Sequence, residues 1–175
     1  MDKNLFVQSI NDLNRCSYYG GTSDTWLKTN KIIKKGFDYE NFKTLQSNTN
    51  FYSIIGMEAH PSLTFDNPQE KKIFDSLIKT EESNICSPHK NIRLKNKNFS
   101  AYYLVNVKIA SKIINFLESK KKCITIFEIG GGIGLLSSIL LSKINCKIIL
   151  CDLPQTLAIQ NFFLSNIYKS KKHNF

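Results

Sequence analysis

Apolar and polar positions fall into two regimes along the chain, changing near residue 100. Before it, apolar residues recur at helical spacing in short stretches separated by polar loops. These are residues 3–14 with Leu5, Phe6, Ile10 and Leu13, residues 23–35 closed by Gly36, and residues 38–47 opened by Asp38. Asn67-Pro68-Gln69-Glu70 gives the clearest helix start: a capping residue, proline at the first helical position and an acid at the third, followed by Ile73, Phe74, Leu77 and Ile78. Residues 80–98 are polar and read as a linker or long loop. Residues 1–99 are therefore expected to form a helical N-terminal region whose signals are structural.

In the second regime Ser100 caps a longer helix. Tyr102, Val105, Ile109, Ile113 and Phe116 recur there at spacings of three and four, a stripe expected to pack on a sheet. After Lys120–Lys122 the period changes. Cys123 to Ile129 is almost continuously apolar and rich in β-branched residues, as expected of a strand buried on both faces. A glycine cluster ends it, Ile133 to Ser142 has the length of a helix, and Lys147 to Cys151 is a second buried-strand candidate that stops at Asp152. Pro154 starts the next helix, with Leu157, Ile159, Phe162, Phe163 and Ile167 available for packing. Helix, strand, helix, strand, helix is the repeating unit of a doubly wound parallel sheet, so the fold class is α/β.

Composition narrows the class. With 175 residues, 42% hydrophobic, and only 8 Gly and 4 Pro, the chain is expected to hold one modest globular domain, which excludes a disordered or collagen-like protein. No stretch reaches the roughly 20 apolar residues of a membrane span, and the N-terminus, with Asp2, has no apolar core like a secretory signal. A soluble, cytoplasmic protein is expected. Cys16, Cys86, Cys123, Cys146 and Cys151 show neither a C-x-x-C pair nor Cys/His metal spacing, and read as reduced, mostly buried thiols with no metal site.

The net charge of +10 is uneven: residues 1–100 hold 14 basic and 11 acidic side chains, whereas residues 101–175 hold 10 and 3. Lys120–Lys122 and Lys147 precede or open strands, and Lys169, Lys171 and Lys172 lie in the tail. A parallel sheet binds its ligand beyond the carboxyl ends of its strands, so lysines at strand starts fall on the opposite edge. Without interleaved arginine or aromatic residues they read as a solvated face in preference to a nucleic-acid surface.

Chemistry concentrates in Glu128-Ile-Gly130-Gly131-Gly132-Ile-Gly134, between the first strand and its helix. Glycine allows a sharp turn with φ > 0 and lets a ligand touch the backbone, and the helix behind offers free N–H groups to a carboxylate or phosphate. Asp152, 18 residues after Gly134 at the end of the next strand, suits the two hydroxyls of a ribose. Together they describe an adenosine-cofactor site. The dinucleotide pattern G-x-G-x-x-G fails in both registers, since its last position falls on Leu135 or on Ser137, although Ser137 is small enough to pass.

The pattern E-x-G-x-G-x-G resembles motif I of the class I methyltransferases that use S-adenosyl-L-methionine. The resemblance implies that Glu128 helps to bind the methionine amino group and Asp152 the ribose, with Gly130, Gly132 and Gly134 forming the loop. Over about residues 100–168, the runs IFEIGGGIGLLSSILL and ILCDLPQTLAIQNFFLSN are similar to the bacterial sugar O-methyltransferases. The Asp-Leu-Pro step also resembles plant-type small-molecule O-methyltransferases. What the resemblance implies is a Rossmann-like class I methyltransferase sheet over residues 100–175, preceded by the helical region. Its chemistry is methyl transfer to a sugar hydroxyl, on a small molecule or a glycan, with a positioned base that no residue here can be matched to.

The family's sheet has seven strands, of which this chain shows the first two, with 23 residues after Asp152. Either the chain holds the N-terminal half of the domain, from a truncated or split gene, or residues 1–99 conceal strands read here as helix; the first is the expectation, and it leaves independent catalysis open. An open sheet edge and an uncovered apolar face would seek an oligomer or a complementing chain. Two other readings remain: an NAD(P)- or flavin-binding Rossmann protein, and a non-catalytic remnant acting as a basic interaction module. His60 and His89 have no ligand partners at metal spacing, His60 being the better of the two for a catalytic or substrate role; His173 reads as solvated, and Trp26, Tyr18 and Tyr19 read as helix core in preference to the lining of a sugar pocket. Tyr102 and Tyr103 lie within reach of a cofactor by resemblance, but the helical stripe assigns at least one of them to the core.

Overall fold

The computed structural model describes residues 63–79, 92–118 and 124–168, together with seven helical positions before them: Asn4, Val7, Gln8, Asn11, Asp24, Lys28 and Lys31. Those seven fall within the two stretches expected to be helical, 3–14 and 23–35. The third, 38–47, lies outside the described residues.

Helix α1 (Pro68–Leu77) begins as its sequence demands. Asn67 is extended and its Oδ1 accepts the Glu70 N–H at 2.8 Å, while Glu70 Oε2 accepts the Asp66 N–H at 3.1 Å. This reciprocal capping satisfies two otherwise orphaned donors. The face it presents, Ile73, Phe74 and Leu77, is buried, as is Ile78 beyond its end.

The second half of the expected linker is instead an antiparallel hairpin, β1 (Ile92–Leu94) with β2 (Lys97–Phe99). Its turn residues Lys95 and Asn96 have φ of 49° and 63°. Two consecutive positive values belong to a two-residue turn of the primed kind, which matches strand twist and is usually announced by glycine. Lys95 pairs with Asp75 at 2.7 Å and Lys97 Nζ donates to the Lys79 carbonyl at 2.9 Å, which ties the hairpin to α1.

Helix α2 (Ala101–Leu117) is capped by Ser100, whose Oγ accepts the Tyr103 N–H at 3.0 Å. Its buried stripe is Tyr103, Leu104, Val107, Ala110 and Ile114, which corrects the expected one: Phe116 is 69% exposed and Ile109 is exposed too. The helix is apolar almost all round, so periodicity alone does not choose a face. Packing does, because the closest neighbours of α2 are α1 and the helix α3 (Leu135–Lys143).

Strands β3 (Ile124–Ile129) and β4 (Cys146–Cys151) pair in parallel from Ile124↔Cys146 to Ile129↔Cys151, and α3 connects them. Helix α4 (Pro154–Tyr168) follows. The described chain is thus mixed α/β with four helices and two small sheets. Alternate residues of both strands, Ile124, Ile126 and Glu128 with Cys146, Ile148 and Leu150, turn inward, whereas Phe127, Ile129 and Ile149 are exposed. Burial of both faces, expected from the continuous apolar run, does not hold. Cys151 also falls on the outward face and is exposed, Cys146 is half-buried, and both are free thiols.

One hydrophobic cluster joins α1, α2, α3 and α4. Phe162 and Phe163 of α4 are fully buried and meet edge to face at 5.8 Å, and the Tyr168 hydroxyl donates to the Ser138 carbonyl of α3. No described helix is long and apolar enough to cross a membrane.

Candidate functional site

The parallel ladder sets the site. It continues one residue past β3, where the Gly130 N–H donates to the carbonyl of Cys151, the last residue of β4, at 2.9 Å, and the chain then turns through the glycines into α3. Side chains two apart line one face of a strand. Glu128 therefore shares the inward face with Leu150, and Asp152 continues that row just beyond β4. The two acids are brought to one end of the sheet, on either side of the loop.

The four glycines do different jobs. Gly130, Gly132 and Gly134 have φ of 71°, 57° and 83°, a left-handed region that L side chains rarely adopt. A side chain at Gly130 would meet nothing within 4 Å, so the backbone there is open to approach. Gly131 is not left-handed. Its need for glycine is spatial, because a Cβ there would lie 2.9 Å from the carboxyl carbon and Oε1 of Glu128 and 3.2 Å from Nε2 of Gln160. At Gly132 the close neighbour is the Tyr102 hydroxyl, at 3.1 Å, and at Gly134 it is Leu164. Gly134 caps α3 without a side-chain bond, so the first N–H groups of α3 face the loop uncapped.

Both acids are held by hydrogen bonds. Ser137 Oγ donates to Glu128 Oε2. Asp152 Oδ1 accepts the Leu153 N–H at 2.7 Å and Oδ2 accepts from Gln160 Nε2 at 3.1 Å, and the Gly132 N–H and the Thr156 hydroxyl lie close enough to favour its charged form. Burial pushes the Glu128 carboxyl above its ordinary value and the nearby charge of Asp152 adds to this, against the Ser137 bond. Burial likewise raises Asp152, opposed first by the Leu153 and Gly132 N–H groups and then by Thr156 and Gln160.

The ion pairs among the described residues, Lys71–Asp75, Lys95–Asp75 and Lys112–Asp66, leave both acids out. Two half-buried carboxylates flanking one loop, with no basic partner among the described residues, attract a cation and can accept from hydroxyl groups, while the uncapped N–H groups of α3 are donors of the opposite polarity. A separate cleft, walled by Lys71, Lys72, Lys79 and Lys95 around Asp75, lies along α1 away from this loop.

All five residues expected from the sequence, Glu128, Gly130, Gly132, Gly134 and Asp152, are gathered here. Ser137, Thr156 and Gln160 join them as residues not foreseen. Asp152, Thr156 and Gln160 are each four apart, one face of a helix, and that spacing was visible in the sequence. Tyr102 joins the loop while Tyr103 is buried and stacks on Phe99 at 5.6 Å. His60, His89, His173, Trp26, Tyr18 and Tyr19 lie outside the described residues. No protein-family model matches the chain, and neither does any curated protein or solved structure.

Proposed function

We propose that the protein binds S-adenosyl-L-methionine at the loop between β3 and α3 and acts as an O-methyltransferase, its acceptor a hydroxyl of a sugar. The observation that carries this reading is the pair Glu128 and Asp152 beside the open backbone of Gly130, with no basic partner among the described residues. A nicotinamide or flavin dinucleotide would bring a doubly charged pyrophosphate against Glu128. An ammonium and a sulfonium are attracted by the same charge.

In this reading Glu128 accepts from the amino group, Asp152 from the ribose hydroxyls, and the uncapped N–H groups of α3 hold the methionine carboxylate. Gly130, Gly132 and Gly134 shape the loop so that the ligand lies on the backbone. The bound cofactor supplies an activated methyl whose sulfur leaves as a neutral thioether. The chain contributes binding and orientation. The choice of a sugar acceptor rests on the resemblance of residues 100–168 alone.

Calorimetric titration with S-adenosylhomocysteine tests the reading, run beside Asp152→Ala and with NAD as control. Saturable binding is expected, weakened about tenfold or more in the variant, as for the loss of hydrogen bonds to a charged group, and NAD should not bind. A folded chain that ignores S-adenosylhomocysteine would overturn it, and NAD binding in its place would favour a nicotinamide enzyme.

A further inference from the structure

Gln160 is 1% exposed, deep in α4, and its amide makes one bond among the described residues: Nε2 donates to Asp152 Oδ2 at 3.1 Å. Its Oε1 is buried and takes no hydrogen bond among them. An amide can be turned by half a revolution, and turning this one would present its oxygen to a carboxylate, which repels it. The observed orientation leaves an acceptor unsatisfied in order to aim the donor at Asp152, and buried polar groups are seldom left so. The same nitrogen lies 3.2 Å from the position a Gly131 side chain would occupy, against which Glu128 also packs. Gln160 therefore lies beside both acids and is bonded to one of them.

We propose that Gln160 is a positioning residue for the ribose carboxylate: its amide donor fixes Asp152 in the orientation that two neighbouring hydroxyls require. This rests on the reading of Asp152 as the ribose acid. Gln160 touches Asp152 and not the ligand, so its removal should spoil discrimination of the diol more than cofactor binding in general.

The test compares binding of S-adenosylhomocysteine and its 2′-deoxy analogue by wild type, Gln160→Met and Gln160→Leu. Methionine has a similar length and no donor, and leucine is a shorter side chain that also has none, so the second carries the test if the first does not fold. Wild type is expected to prefer the ribose form by about tenfold or more, the value of a hydrogen bond to a charged group. That preference should fall below about threefold in each variant. An equal loss of affinity for both ligands would make Gln160 a structural residue and overturn the proposal, as would tighter ribose binding in Gln160→Met, which would show the amide competing with the ligand. Wild type that binds neither ligand would remove the cofactor reading itself and this inference with it. Binding with an unchanged preference in the variants would remove only the role of Gln160.

Discussion

Ser137, in the first turn of α3, donates its hydroxyl hydrogen to Oε2 of Glu128, nine residues earlier and on the inward face of β3. The bond spans the glycine loop and ties the end of the strand to the start of the helix. Ser137→Ala would remove a donor from a half-buried carboxylate and push that group further up. The expected loss is about 1–3 kcal/mol of stability at neutral pH, with weaker cofactor binding, read by urea unfolding and calorimetry. Unfolding at the wild-type midpoint would show that Glu128 does not depend on this hydroxyl.

Burial raises both Glu128 and Asp152 above their ordinary values of 4.5 and 3.8. In the window between each ordinary value and its raised one, the folded chain holds more protons than the unfolded chain. The contribution of these acids to stability is therefore present at low pH and is lost as pH rises through the raised values. Asp66 and Asp75 are lowered by their lysine partners and give the opposite slope, so the informative quantity is the difference between wild type and Glu128→Gln. The variant should be more stable than wild type at neutral pH without ligand and should lose part of the decline, while binding S-adenosylhomocysteine less well. Parallel stability profiles for the two proteins would refute the assignment of that slope to Glu128.

Gly130→Ala and Gly131→Ala should fail for different reasons. The first meets no atom, so its cost is the left-handed backbone, about 1–2 kcal/mol of stability. The second pushes its methyl into the Glu128 carboxyl and the Gln160 amide. In double-mutant cycles of cofactor binding, Gly131→Ala should therefore couple to Glu128→Gln and Gly130→Ala should not. Equal coupling for both would contradict the division of roles drawn from the loop.

Phe127 and Ile129 stand on the outward face of β3, the latter 75% exposed. Phe127→Thr and Ile129→Thr together should reduce concentration-dependent association seen by light scattering and change unfolding by about 0.5 kcal/mol or less. Wild-type scattering from the double variant would mean that this face does not mediate association.

Local chemistry was legible in the sequence wherever a few adjacent residues decide the conformation. Asn67 and Ser100 cap the helices they announce, and the spacing from Glu128 through the glycines to Asp152 marks a strand, a turn and the end of the next strand. The hairpin was hidden because Lys95 and Asn96 occupy a turn usually marked by glycine, in a stretch too polar to show alternation. The exposed face of β3 was hidden because Phe127 and Ile129 are as apolar as Ile124 and Ile126. What stands over each face depends on other elements, and so does the buried side of α2. Tyr102 reaches the site through a tertiary contact with the loop, which no short spacing reveals, whereas the spacing of Gln160 from Asp152 was visible but did not by itself mark a contact.

The carboxylates are placed by the ladder that runs from Ile124↔Cys146 to the bond between Gly130 and Cys151, and not by the helix that joins the strands. Their separation is thus insulated from the length of the connection. Residues added in the turn at Ile144 and Asn145 would be absorbed outside the ladder, on the opposite edge from the loop. One residue removed from β4 would reverse the facing of every side chain before the gap or after it, and the site would be left with a single acid. The fold is in this sense tolerant in its connection and strict in its strands.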